Sequence, residues 1–377
     1  MINYFCNKET IEKNAMEQLS SFEDRGLNNI SVFPDIHYCA EKNLPVGVAF
    51  KTTDKFYPLI TGKDLGCGVM YLRFKKSDML KPFNKTVHFN SFDKQSAQMT
   101  DDGLGGGNHF LSIEEGDDEF MYIICHTGSR NLGIELYQRF LKMINDFNYK
   151  EGIQDSFLPK ENLNEELVKY YNSVIQFASD RRRDFVVKTF LMLFVNGYLQ
   201  KSKSSYQVNN DYIKGSWKYL NNEGDIYGVE YKIQDSVHNH IRFNDNDIIH
   251  RKGATELIIG QECVIPLSMT RGSLIVKPKY DTYTLDLANY SCSHGAGRKL
   301  SRTDTLKHWN SGMKESERKA YRKEFPELLN KQGDFPKGYV QEFDFAYKPS
   351  EEILKNQPYL VKVAQTKPVV TVKFTEI

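Results

Sequence analysis

Hydrophobic positions recur along this chain with two different periods. Between Leu132 and Phe147 the residues Tyr137, Phe140, Leu141 and Ile144 fall three and four apart, which predicts an amphipathic helix. A longer helical period runs from about Asn162 to Leu199, with Leu167, Tyr171, Val174 and Phe177 on one side. The charged run Asp180–Asp184 predicts an interruption in it. Residues 1–75 read as short strands and turns, through ISVFPDIHY, VGVAF and YPLITGKDLGCGVMYLRF. Strands return over 257–290, and the C-terminal YLVKVAQTKPVVTVKFTEI alternates as strands do. Residues 299–325 predict a basic helical stretch. Residues 201–232 are polar and aromatic, with Asn-Asn pairs and a turn at Asn222–Gly224, and predict a peripheral insertion. Strands and helices do not alternate regularly, so the pattern points to an α+β fold and away from a doubly wound sheet. With no internal repeat and no low-complexity linker, 1–377 reads as one domain.

Composition narrows the class. The chain has 377 residues, 40% hydrophobic and 26% charged, which fits a folded protein with a sizeable core. The formal net charge is +1, so any nucleic-acid surface must be a local patch. No apolar run approaches the roughly eighteen residues of a membrane span. The start, MINYFCNKETIEKN, lacks the apolar core of a signal peptide. Cys6, Cys39, Cys67, Cys125, Cys263 and Cys292 are scattered without a CxxC pair. They read as reduced thiols of a cytoplasmic protein, with one or two left as candidate metal ligands.

The candidate chemistry lies in glycine-rich turns. Seven of the nine histidines fall in six short motifs beside Gly, Asn or Pro: PDIH (His37), GGGNHF (His109), CHTGSR (His126), VHNH (His238, His240), IHRKGAT (His250) and SHGAGR (His294). Glycine lets the backbone approach a ligand closely. In DLGCGV, Asp64 and Cys67 sit three apart across a glycine turn, a spacing that can aim a carboxylate and a thiolate at one place. Asp, Cys and several His form a borderline donor set suited to Zn²⁺ or Mn²⁺. A tight turn with a buried cysteine is the plainer alternative. GLGGGNHF at 103–110 fits neither the GxxxxGK[ST] nor the GxGxxG phosphate-binding pattern. In SCSHGAGRKLSR at 291–302, small residues leave room on the His294 imidazole, and Arg298 and Arg302 offer charge for phosphate oxygens. A neutral, oriented imidazole is a competent nucleophile toward phosphorus.

In order, PDIH, DLGCGV, GGGNHF, HTGSRNLG, VHNH, HRKGAT, IPLSM, SHGAGRKLSR, AYK and Lys373 resemble the RtcB family of RNA ligases over nearly the whole chain. The resemblance implies mixed or antiparallel sheets flanked by helices around a central metal cleft. It implies joining of RNA 3′-phosphate or 2′,3′-cyclic phosphate ends to 5′-hydroxyl ends, in RNA repair or tRNA splicing. Two Mn²⁺ ions and GTP are implied as cofactors, RNA ends as the partner, and a monomer as the unit. By analogy Cys67, His126 and His238 would hold one ion, and Asp64, Cys67 and His109 the other. His294 matches the nucleophile that becomes guanylylated, and Asp35 the carboxylate that orients its ring. Asn108, Phe110, Asn239, Ser268, Met269, Ser273, Gly295, Ala296, Gly297 and Lys373 match guanylate contacts. Arg182 matches an arginine tied to phosphate or RNA, against a plain reading as an exposed helix charge. His37, His250, Arg251 and Lys252 are left between structure and RNA contact.

Three departures stand out. The family's glutamate that reads the guanine edge is Ser112 here, which leaves the choice between GTP and ATP open. The nucleotide loop reads Pro266–Ser273 with Leu267 and Arg271 in place of small residues, and Phe374 follows Lys373. Ser112 and the altered 266–273 loop support the alternative of a non-ligating RNA-end-binding partner; a metal-dependent phosphoesterase is a third reading, marked by hydrolysis of RNA ends without nucleotide. The basic stretch, through Lys314, Arg318 and Arg322, is a candidate RNA track or a solvated helix face.

Overall fold

The computed structural model describes residues 1–24, 27, 29–39, 45–83, 103–151, 156–199, 220–244 and 246–373. Alternating apolar segments pair into an eight-stranded sheet, antiparallel throughout. Its order is Cys263–Ser268, Gly272–Pro278, Leu360–Val372, Phe110–Gly116, Phe120–Thr127, Gly68–Lys75, Val229–Val237 and Glu223–Ile226. Met70, Leu72, Ile113 and Ile123 point to one face, where they pack with Phe185, Val186 and Phe190 of the helix Glu165–Val195. The opposite face carries Val69, Tyr71 and Ile124, which pack against Val264, Ile275 and Ala364 from the other end of the same sheet. The sheet therefore curls on itself, and the Val264 N–H donates to Ser236 Oγ at 3.2 Å across the gap.

A second, five-stranded sheet runs Ile2–Tyr4, Ile30–His37, Val46–Thr52, Ile248–Lys252 and Asn239–Phe243, parallel only between its first two strands. The short pair Ala254–Glu256 and Ser291–Ser293 lies beside it and leads into His294. The fold is α+β with antiparallel sheets, as expected.

Several elements differ from the sequence pattern. The helix Lys13–Asp24 stands where only strands and turns were expected. The helix Asn131–Glu151 buries Leu136, Phe140 and Ile144, so its apolar stripe is centred one position off the predicted one. Glu165–Val195 is one unbroken helix capped by the Asn164 side chain. The charged run does not interrupt it because Arg181, Arg182 and Asp184 are buried against partners. The basic stretch breaks into Arg302–Lys307, a wide turn at His308–Gly312, and Glu315–Glu324. Thr282–Leu287 is a helical turn inside the region read as strands. Of the expected insertion, residues 201–219 lie outside the described residues. Beyond them, Glu223–Ile226 and Val229–Val237 close one edge of the main sheet. Among the described residues no helix is long and apolar enough to cross a membrane.

Candidate metal and nucleotide site

Strand pairing assembles the cluster. Cys67 directly precedes Gly68, which pairs with Thr127 and with Val237. His126 pairs with Phe110, and His109 directly precedes Phe110. Four adjacent strands thus end together, and Cys67, His109, His126 and His238 meet there, all buried. The contacts form a chain. Asp64 Oδ2 lies 3.2 Å from His109 Nε2, which lies 3.4 Å from Cys67 Sγ. Cys67 Sγ lies 3.3 Å from His126 Nε2, which lies 3.4 Å from His238 Nε2. Donor atoms bound about 2.0–2.3 Å from one ion stand roughly 3.3–3.8 Å apart. The spacing fits a metal, and Cys67 occupies the central place.

Chemistry agrees with geometry. His126 Nδ1 faces the Asn108 carbonyl oxygen at 3.1 Å, a contact that places its proton there and leaves Nε2 as a bare donor. Burial holds His126 and His238 well below the usual histidine range, so both are neutral, as ligands must be. Burial also pushes the Cys67 thiol up, helped by Asp64. A divalent cation reverses that cost by binding the thiolate. Burial alone would raise Asp64, but the hydrogen bond and charge of His109 bring it well below the carboxylate range.

Arg182, expected at phosphate or on an exposed helix face, does neither. It is wholly buried. Its guanidinium grips Asp235 through Nε–Oδ1 and Nη2–Oδ2, both 2.7 Å. Its Nη1 donates to the carbonyls of Gly66 at 2.7 Å and Thr127 at 2.8 Å. Those carbonyls adjoin Cys67 and His126, so Arg182 ties together the turns that carry these two residues and the strand leading to His238. Gly128 is required at the same spot, because a Cβ there would lie 2.1 Å from Asp64 Oδ1.

His294 stands beside the cluster, its ring centroid 4.9 Å from that of His238. Its Nδ1 is 2.5 Å from Asp35 Oδ2, and that oxygen also accepts the N–H groups of His294 and Gly295 at 2.9 and 3.1 Å. Nε2 is the ring nitrogen that Asp35 does not engage. Gly253, with φ +58°, explains the glycine of HRKGAT: a Cβ there would lie 3.0 Å from His294 Cε1.

A cavity of about 550 Å³ opens from His294. Asn108, Phe110, Ser268, Met269, Gly295, Ala296, Gly297 and Lys373, all expected at the guanylate, line it. Two expected contacts are placed otherwise. Asn239 spends its side chain on structure, accepting from the Gly253 N–H at 2.7 Å and donating to the Asp64 carbonyl at 3.4 Å. Ser273 is fully buried behind the cavity wall, beside Thr366. Arg298, Arg302 and Lys373 all face Glu342, at 3.8, 3.4 and 3.3 Å. Three cations on one carboxylate leave this wall net positive, a place for phosphate oxygens. Burial lowers the Lys373 ammonium, an effect that Glu342 opposes. Nothing in the sequence pattern singled out Glu342.

His250 and Arg251 are structural. His250 stacks on Phe50 at 4.6 Å between centroids and accepts the Tyr57 N–H at 3.1 Å. Arg251 is buried and donates to Ser291 Oγ at 2.8 Å. Lys252 Nζ reaches the Thr61 carbonyl at 3.4 Å, while His37 is exposed at the cavity rim. In the basic stretch, Arg318 and Arg322 both pair with Glu315, at 2.8 and 3.1 Å, and Lys314 is exposed at the head of that helix.

The family described as RtcB, tRNA-splicing ligase RtcB, matches residues 76–374. The chain belongs to the RtcB family. RNA-splicing ligase RtcB2 of Escherichia coli is 23% identical over 337 residues, covering 78% of this chain and 75% of that protein. The tRNA-splicing ligase RtcB of Methanococcus maripaludis is 25% identical over 315 residues, covering 72% of this chain and 59% of that protein. The RtcB match begins after Asp64 and Cys67, yet the fold carries both into the cluster with His109 and His126.

Proposed function

We propose that this protein is an RNA ligase that joins RNA 3′-phosphate or 2′,3′-cyclic phosphate ends to 5′-hydroxyl ends, with GTP as cosubstrate and Mn²⁺ as cofactor. The reading places the whole chain in one catalytic unit working in the reducing cytoplasm. One observation carries it: an imidazole held by a buried carboxylate lies against a Cys/His cluster and opens into a nucleotide-sized cavity.

Asp64, Cys67 and His109 would hold one ion, and Cys67, His126 and His238 the other, with Cys67 shared. When bound, the ions supply Lewis-acid stabilisation of phosphate charge. Asp35 fixes the His294 ring and stabilises positive charge at Nδ1 while Nε2 bonds to the α-phosphorus of GTP and pyrophosphate leaves. A 2′,3′-cyclic end is first opened by water to a 3′-phosphate and a 2′-hydroxyl; the guanylyl group then passes to an oxygen of the RNA 3′-phosphate as the N–P bond breaks. The 5′-hydroxyl attacks that activated phosphate and GMP departs. Arg298, Arg302 and Lys373 line the route with positive charge.

The test is incubation with α-labelled GTP and Mn²⁺, then denaturing electrophoresis. An acid-labile label on the chain, absent without Mn²⁺ and in His294→Ala, is the expected result. No label with any nucleotide, together with nucleotide-independent hydrolysis of RNA ends, would replace the ligase by a phosphoesterase.

A further inference from the structure

The turn Met269–Thr270–Arg271 joins the strands Cys263–Ser268 and Gly272–Pro278, with Ser268 and Gly272 paired at its base. It separates two voids. Ser268, Met269 and Gly272 line the nucleotide cavity, whereas Thr270 and Arg271 line a second cleft of about 570 Å³. Met269 packs into the main core, but a turn between two voids is not held by close packing alone. Hydrogen bonds must fix the rest of it.

Those bonds converge on Asp344. Thr270 Oγ1 donates to Asp344 Oδ1 at 3.2 Å, and Arg271 Nε donates to Oδ2 at 2.8 Å. The Asp344 N–H donates back to Thr270 Oγ1 at 3.0 Å. Two residues earlier, the Glu342 carbonyl accepts the Met269 N–H at 3.0 Å. The segment from Glu342 to Asp344 thus grips all three residues of the turn. Tyr321, on the helix Glu315–Glu324, donates its hydroxyl to Asp344 Oδ1 at 2.6 Å. Its ring lies flat on Phe343, with centroids 5.2 Å apart and planes 4° apart, so this donor is itself held in place. Burial alone would raise the Asp344 carboxyl, but the bonds from Tyr321, Arg271 and Thr270 bring it below the usual range. Asp344 lines the second cleft and not the nucleotide cavity, so it reaches a ligand through the turn.

Resting on the nucleotide reading above, we propose that Asp344 is a positioning residue for the nucleotide, holding the turn Met269–Arg271 in the form that presents Ser268 and Met269 to the cavity. A turn freed of this anchor samples other forms, and apparent affinity falls with the share that can still bind. Saturating nucleotide restores the turn. His294 and Asp35 stand outside this network, so the chemical step is left alone. Loss of Asp344 therefore acts on half-saturation and not on the limiting rate. Arg271 contributes the least, because its side chain is 67% exposed and its ion pair is screened by solvent.

The experiment follows adduct formation against GTP concentration, with equilibrium GTP binding alongside, for the wild type, Asp344→Asn, Thr270→Val and Arg271→Ala. Asp344→Asn is expected to raise the half-saturating concentration and the dissociation constant together, by about 10-fold, with little change in the rate at saturation. Thr270→Val should shift both in the same direction, and Arg271→Ala should shift them least. Thermal unfolding establishes which variants are folded. The proposal is overturned if a folded Asp344→Asn keeps wild-type half-saturation, or if its defect lies wholly in the rate at saturation. An Arg271→Ala effect larger than that of Asp344→Asn overturns it too. Should Asp344→Asn fail to fold, Thr270→Val decides, and an unchanged half-saturation there overturns the proposal. A wild type that binds no nucleotide overturns the ligase reading as well, and is told apart because it fails before any substitution.

Discussion

Arg182 and Asp235 form a two-pronged ion pair, both contacts 2.7 Å, with the guanidinium fully buried. The same guanidinium holds the carbonyls on either side of the thiol-imidazole cluster. A lysine keeps the charge but cannot supply the planar fork. Arg182→Lys is expected to fold and to bind Mn²⁺ roughly 10- to 100-fold more weakly, as loss of a group that orients ligands does elsewhere. Metal titration of the folded variant checks this, and wild-type affinity would remove Arg182 from the site. Arg182→Ala strands Asp235 and should cost about 3–5 kcal/mol of stability in denaturant unfolding.

Cys67 touches both His109 and His126, the imidazoles assigned to different ions in the proposed scheme. Cys67→Ala should therefore lose more metal than His109→Ala or His238→Ala. Elemental analysis of each purified variant gives the stoichiometry. Equal loss in all three would argue against a shared thiolate. Chelation of the wild type should lower its thermal midpoint, because metal bound only by the folded state stabilises it.

His294→Ala should abolish the nucleotide adduct and leave metal content unchanged. Asp35→Ala should slow adduct formation by about 100-fold or more, since it removes both the ring contact and the acceptor for two backbone N–H groups. A single-turnover time course reads this rate. An Asp35→Ala rate equal to wild type would assign the ring's orientation to other groups.

Burial lowers His250 from 6.5 to about 3. The unfolded chain takes up a proton in that interval and the folded protein does not. The neutral ring's contribution is thus complete above pH 6.5 and is lost as pH falls toward 3. The loss between pH 6.5 and 5 is about 2 kcal/mol for this one group. His250→Gln keeps an acceptor for the Tyr57 N–H and should flatten the acid side of the stability curve. Urea unfolding at several pH values checks it. An unchanged slope would mean that His250 is protonated in the folded state.

The motifs that carry chemistry were legible because they are local. A glycine turn next to Cys67, His109 or His294 is visible as a string, and the family likeness orders the strings. What supports them was not legible. Arg182 looked like a helix charge because its partners, Asp235, Gly66 and Thr127, lie far away in sequence. Asn239 looked like a nucleotide contact because it neighbours His238, yet both ends of its amide are taken by backbone. The helix Lys13–Asp24 was missed because its N-terminal half is polar, and its burial depends on Phe22, Leu19 and Ala15 meeting the small sheet.

The ligands cap four neighbouring strands of one antiparallel ladder, and that arrangement ties assembly to function. A slip of one residue between any two of those strands would turn a donor to the opposite face and empty its corner of the cluster. Partly zipped chains therefore offer no complete cluster, and on the proposed metal reading bound ions would report on completed folding. On that reading a chain folded without metal would keep its donors in register, waiting on supply alone.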